Sequence, residues 1–65
     1  MDKRFAENLK KFRLANDWTQ QDIADMLHCD RTSYNKYENG KAYPSVGKLY
    51  ALIDIFGVSA DELLG

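Results

Sequence analysis

The stretch "TQQDIADMLHCDRTSYNKYENGK", residues 19–41, decides how this chain folds. Ile23, Ala24 and Leu27 recur at helical spacing, and so do Tyr34 and Tyr37, so the segment reads as two short helices. Thr19 and Asp30 stand where N-terminal caps belong, and Gly40 stands where the second helix stops. Only His28, Cys29 and Asp30 separate the two helices, and so short a connection sets them at a steep angle. Ala24 places a small side chain in the middle of the first apolar face, where the second helix must approach. The second helix turns Tyr34 and Tyr37 inward. It turns Arg31, Thr32 and Lys36 outward, with Ser33 and Asn35 flanking them.

The bend holds the chain's only histidine and only cysteine side by side, which invites a metal or thiol reading. Adjacent residues rarely ligate one ion together, and no other Cys or His exists to complete a shell. Cys29 has a simpler role as the apolar residue ahead of the cap Asp30, packing against Tyr34 one turn later. No nucleophile–base pair or carboxylate dyad stands at a workable spacing. The sequence therefore predicts no enzyme, no metal site and no cofactor.

The same devices recur outward from this segment. Phe5, Leu9 and Phe12 mark a first amphipathic helix over about residues 3–15, which "NDW" breaks. Val46, Leu49, Ile53 and Phe56 mark a fourth helix, begun after Pro44 and closed by Gly57, and "SADELL" has room for a fifth. Apolar staples flank each cap: Trp18 with Ile23, Cys29 with Tyr34, Pro44 with Leu49, Val58 with Leu63. Asp22 and Glu62 lie three residues after Thr19 and Ser59, where a capping box puts its acid. The reading is one all-α, compact five-helix domain over residues 1–65, with its helix-turn-helix at about 19–39.

A 65-residue chain forms one domain at most. Its 45% hydrophobic and 29% charged residues fit a soluble globular protein. A single cysteine forms no internal disulfide, and neither a membrane-length apolar run nor a signal-peptide pattern is visible. These features predict a cytoplasmic protein with no membrane partner. The net charge is −1 and the pI about 5.6, which is not the usual footprint of a nucleic-acid binder. The charge is polarised, however. Arg31, Lys36, Lys41 and Lys48 face only Glu38 over residues 31–48, whereas Asp17, Asp22, Asp25 and Asp30 stand together without a cation.

With these residues in place, the sequence resembles the lambda-repressor-like helix-turn-helix family (phage repressor and Cro, or Xre, type). "WTQQDIA", "YNKYENGK", "PSVGKL" and "FGVSADELL" carry the resemblance by their order and spacing, and it covers nearly the whole chain. It implies sequence-specific binding of double-stranded DNA by a transcriptional regulator, a repressor before an activator. The recognition helix, 31–39, would enter the major groove. Arg31, Thr32 and Lys36 match base-reading positions. Gln20 matches a glutamine that bonds a phosphate and buttresses the recognition helix, and Asn39 and Lys41 match backbone contacts. Ser33 and Asn35, flanking the reading face, are expected to act as phosphate or positioning residues, and Arg13 with Glu38 matches a family ion pair.

Two departures accompany the match. The family commonly has glycine after Leu27, where the chain turns with positive φ, and here His28 stands there. Histidine tolerates that conformation better than most residues, and a cation suits a helix C-terminus. Gly47 falls in the first turn of the fourth helix, so Ser45, Val46 and Gly47 are expected to cradle a phosphate at that helix start. The expected partner is a near-palindromic operator, bound by a homodimer associated with the nucleoid. The chain is compatible with a complete small regulator or with the N-terminal domain of a longer one. The acidic second helix keeps a second reading open: a protein-interaction module of the same fold that does not bind DNA.

Overall fold

The apolar spacings become five helices in the computed structural model, which describes residues 3–65. They are α1 (Lys3–Ala15), α2 (Gln20–Met26), α3 (Arg31–Glu38), α4 (Val46–Phe56) and α5 (Ala60–Leu64), with no strand among the described residues. α3 packs against both α2 and α1, and α1 also packs against α5. Each helix contributes its apolar stripe to one centre: Phe5 and Leu9 from α1, Ile23 and Ala24 from α2, Tyr34 and Tyr37 from α3, Leu52 and Leu63 from the last two. Ala24 is fully buried, as the close approach of α2 and α3 requires. Phe56 packs its ring against both Phe12 and Trp18, at centroid separations of 5.7 and 6.1 Å, and so ties α4 to α1 and the turn that follows it.

Four helix ends share one geometry. After α1, α2, α3 and α4 a residue takes positive φ: Asp17 (56°), His28 (57°), Gly40 (71°) and Gly57 (65°). The next N–H then reaches back to a carbonyl five residues earlier: Trp18 to Arg13 at 3.2 Å, Cys29 to Ala24 at 2.9 Å, Lys41 to Lys36 at 2.9 Å, Val58 to Ile53 at 3.3 Å. This double-bonded turn satisfies carbonyls that the helix leaves open and reverses the chain within two residues. The turns at His28, Gly40 and Gly57 stand where the sequence places them. Asp17 does the same work within "NDW" and was not anticipated, although Asp and Asn are the side chains that best tolerate this conformation.

The helix starts follow the expected caps with one correction. Thr19 with Asp22, and Ser59 with Glu62, form reciprocal capping boxes, and the Ser45 hydroxyl accepts from the Lys48 N–H at 3.3 Å. Asp30 has extended cap dihedrals, but its side chain bonds no backbone N–H. Its Oδ1 instead accepts from the Ser33 hydroxyl at 2.5 Å. That bond is the first-named reason its carboxyl sits below the ordinary aspartate value. Two short, strong groups facing each other across the first turn outcompete the longer reach to an amide.

The five-residue α5 is too short to hold itself. Asn8 Nδ2 donates to the carbonyls of Glu62 and Leu63 at 3.2 and 3.0 Å, and Arg4 donates to the Gly65 carbonyl at 3.0 Å. α1 thereby closes the far end of the molecule.

A left-handed residue with a Cβ is strained by roughly 1–2 kcal/mol relative to glycine. His28→Gly, and separately Asp17→Gly, are therefore expected to raise unfolding stability by about 1 kcal/mol each, read as a higher urea midpoint at unchanged m-value. A lower midpoint for His28→Gly would show that the imidazole makes a compensating contact.

Candidate nucleic-acid interface

Helix α3 is the element that the rest of the chain positions. Tyr34 is fully buried and Tyr37 nearly so, which fixes the rotation of the helix about its own axis. That rotation leaves Arg31, Thr32 and Lys36 exposed. Thr32 and Lys36 are one turn apart and share a face, with Arg31 beside them. A guanidinium, a hydroxyl with a methyl, and an ammonium group together offer donors to guanine and an apolar contact to the thymine methyl.

Behind this face lies an ion pair. Arg13, at the end of α1, donates through Nε to Glu38 Oε2 at 2.6 Å and through Nη2 to Glu38 Oε1 at 3.1 Å. Its third bond, Nη1 to the Trp18 carbonyl at 3.0 Å, holds the turn after α1. The two side chains are only 10% and 3% exposed. Burial pushes the Glu38 carboxyl up, but Arg13, the adjacent Tyr34 hydroxyl and Gln20 outweigh it and hold its pKa below the ordinary glutamate value. The bond to Glu38 raises the Arg13 pKa further, against its own desolvation. The Tyr34 hydroxyl lies buried beside the pair, where it adds to the polar surroundings of the Glu38 carboxylate. Burial, reinforced by the Glu38 carboxylate, pushes its pKa up.

From Glu38 a string of side-chain bonds runs outward. Gln20, the first residue of α2, donates to Glu38 Oε1 at 3.2 Å. Gln20 Oε1 accepts from Asn35 Nδ2 at 3.1 Å, and Asn35 Oδ1 accepts from Asn39 Nδ2 at 2.8 Å. Gln20 and Asn35 are half-buried and Asn39 is exposed. Three of the sequence-selected phosphate residues are thus joined to one another. Asn35 is more than a flank, since it links α2 to the end of α3. Two amides spaced 15 residues apart across a helix-turn-helix were the available signal.

The other selected residues sit elsewhere. Ser33 is half-buried, with its hydroxyl proton given to Asp30. Lys41 is exposed beyond the turn at Gly40. Ser45, Val46 and Gly47 are exposed at the start of α4, and a Cβ built on Gly47 would meet no atom within 4 Å. Val46, which the apolar spacing groups with Leu49, Ile53 and Phe56, is instead 68% exposed, and Tyr50 one turn further along α4 is 67% exposed, because the first turn of α4 projects beyond the core. Cys29 is half-buried, and burial raises its thiol pKa above the ordinary value, away from thiolate chemistry. Among the described residues no group of His, Cys, Asp and Glu could hold a metal ion. No described helix is long and apolar enough to cross a membrane.

Comparison with known proteins places this geometry. The family model described as Helix-turn-helix matches residues 9–63. The SPbeta prophage-derived uncharacterized HTH-type transcriptional regulator YonR of Bacillus subtilis (strain 168) is 48% identical over 60 residues, which cover 92% of this chain and 56% of that protein. The cryptic phage CTXphi transcriptional repressor RstR of Vibrio cholerae is 37% identical over 62 residues, 95% of this chain and 55% of its own. A solved transcriptional regulator from Listeria innocua superposes with a TM-score of 0.86 at 32% identity, covering 91% of this chain and 55% of that one. The chain spans about half the length of the curated relatives it matches.

Replacing one partner of a buried pair strands the other charge, at a cost of about 3–5 kcal/mol, whereas replacing both by apolar groups is far milder. Arg13→Met and Glu38→Leu are each expected to lose that much stability, and the double variant to lose less than either, in a urea-unfolding cycle. The pH dependence follows from the lowered Glu38 pKa. Its contribution is complete above the unfolded-state value, roughly 4.3, and is lost as pH falls through the folded value. The double variant should therefore lose stability less steeply below about pH 4.

Proposed function

The chain belongs to the helix-turn-helix family of transcriptional regulators, of the lambda-repressor-like type, and from that premise we propose that it binds double-stranded DNA with sequence preference. The observation that carries this reading is the exposed set Arg31, Thr32 and Lys36 on a helix whose rotation is fixed by two buried tyrosines and a buried ion pair. α3 lies in the major groove, where those three residues read base edges. Gln20, Asn39 and Lys41 contact phosphates, with Ser33 and Asn35 at the margin of the reading face. Ser45, Val46 and Gly47 bring the N–H groups at the start of α4 to a further phosphate.

A domain of this size makes few contacts, so it acts as a homodimer on a near-palindromic operator, with half-site centres about 10 bp apart. The local excess of cations over residues 31–48 steers it to DNA despite the net charge of −1. Repression is the outcome we assign, because occupancy of a promoter suffices for it and no second contact is required. It acts in the cytoplasm, at the nucleoid.

Selection of bound duplexes from a random pool tests the reading and reports half-site and symmetry together. Arg31→Ala and Lys36→Ala are expected to relax preference at individual base pairs, at about 1–3 kcal/mol each. Lys41→Ala should weaken all sequences alike and lower the salt slope by about one. Absence of salt-dependent binding by the wild-type protein would favour the protein-interaction module, for which the side of α2 that carries the exposed Gln21 and Asp25 is the natural surface.

Gly47→Ala isolates the contact at α4. The added methyl meets open space, and alanine favours a helix by up to about 1 kcal/mol over glycine. Stability should rise while DNA affinity falls. Unchanged affinity would remove the phosphate from that helix start.

A further inference from the structure

Glu38 does more than neutralise Arg13. A carboxylate only accepts hydrogen bonds, and an amide has one accepting and one donating end. Against Glu38 Oε1, Gln20 must therefore turn its nitrogen, which it does at 3.2 Å. Gln20 then has its oxygen left for Asn35, whose nitrogen approaches it at 3.1 Å. Asn35 in turn has its oxygen left for Asn39, whose nitrogen approaches at 2.8 Å. One charge at the inner end sets the sense of all three amides. A string running the other way would press the Gln20 oxygen against the carboxylate and lose the bond there.

We infer that Glu38 is a positioning residue for nucleic-acid contact: its negative charge fixes the sense of the string Gln20–Asn35–Asn39, so that the one spare N–H on each amide is held in a single direction for phosphate instead of sampling two. Each of the three amide nitrogens carries two N–H groups and spends one within the string. Phosphate oxygens only accept, so spare donors are what a backbone contact needs. The inference rests on the DNA-binding reading for its purpose, but the orientation of the amides stands on the free protein alone. It has a counter-intuitive consequence. Removing the Glu38 charge makes the protein less negative, which by simple electrostatics favours DNA, yet the string loses its fixed sense and binding weakens.

The test pairs two measurements on Glu38→Gln and Gln20→Ala. Side-chain amide NMR of the free protein reads the string. In the wild type, one proton of Gln20, Asn35 and Asn39 each exchanges slowly with solvent and its partner fast. In Glu38→Gln the change reaches Asn35 and Asn39, which do not bond residue 38, and Gln20→Ala reproduces that change with the ion pair intact. Fast exchange of both Asn35 protons in the wild type, or unaltered Asn39 resonances in Gln20→Ala, would overturn the inference even if Glu38→Gln failed to fold. Duplex binding at fixed salt reads the purpose: Glu38→Gln should bind roughly tenfold more weakly across sequences. Equal or tighter binding by the folded variant overturns the positioning role. Failure of the wild type to bind any duplex overturns the DNA reading itself, with the NMR outcome still deciding the orientation.

Discussion

A buried carboxylate without a partner would be intolerable in a domain this small, and the structure is organised around giving Glu38 its partners. Arg13 reaches it from the end of α1 and Gln20 from the start of α2, and Glu38 itself ends α3. Three helices therefore meet at one charge. The geometry is demanding, because the guanidinium fork accepts little misalignment. It fixes α3 in the two respects that matter to a recognition helix: the buried tyrosines set rotation about its axis, and the ion pair sets how far its end stands from α1. The apolar core alone would allow several similar packings of the same stripes.

The turns matter in the same way. Four helix ends use one double-bonded reversal, so the connections are short and stiff. Two of the four place a residue with a Cβ in the left-handed conformation. His28 is the more consequential, since it stands between α2 and α3 and determines the angle at which the latter is presented. Ala24 and Leu27 before it and Tyr34 after it all belong to the buried core, so the bend is held from both sides.

The helices, their order and most caps were legible in the sequence, because apolar spacing and capping residues are local signals. Family resemblance pointed to the pairing of Arg13 with Glu38, which lie 25 residues apart and have no local signal of their own. What escaped was what depends on exact side-chain direction. Asp30 looked like a backbone cap, and its geometry is one, but a hydroxyl three residues on took its carboxylate. Asn35 reads as a phosphate or positioning residue flanking the reading face, and only the packing of α2 against α3 shows it bonded to Gln20. Asp17 was hidden because aspartate in a left-handed turn leaves no mark as clear as glycine's.

The grip of α1 on the carbonyls of α5 completes a mechanical picture. α1 holds Glu62, Leu63 and Gly65 through Arg4 and Asn8 near one end, and Glu38 through Arg13 at the other. A 13-residue helix is a strut about 20 Å long, clamped at both ends by hydrogen bonds. The separation between α5 and the end of α3 is therefore set by the length of one helix, with no loop in the path between them.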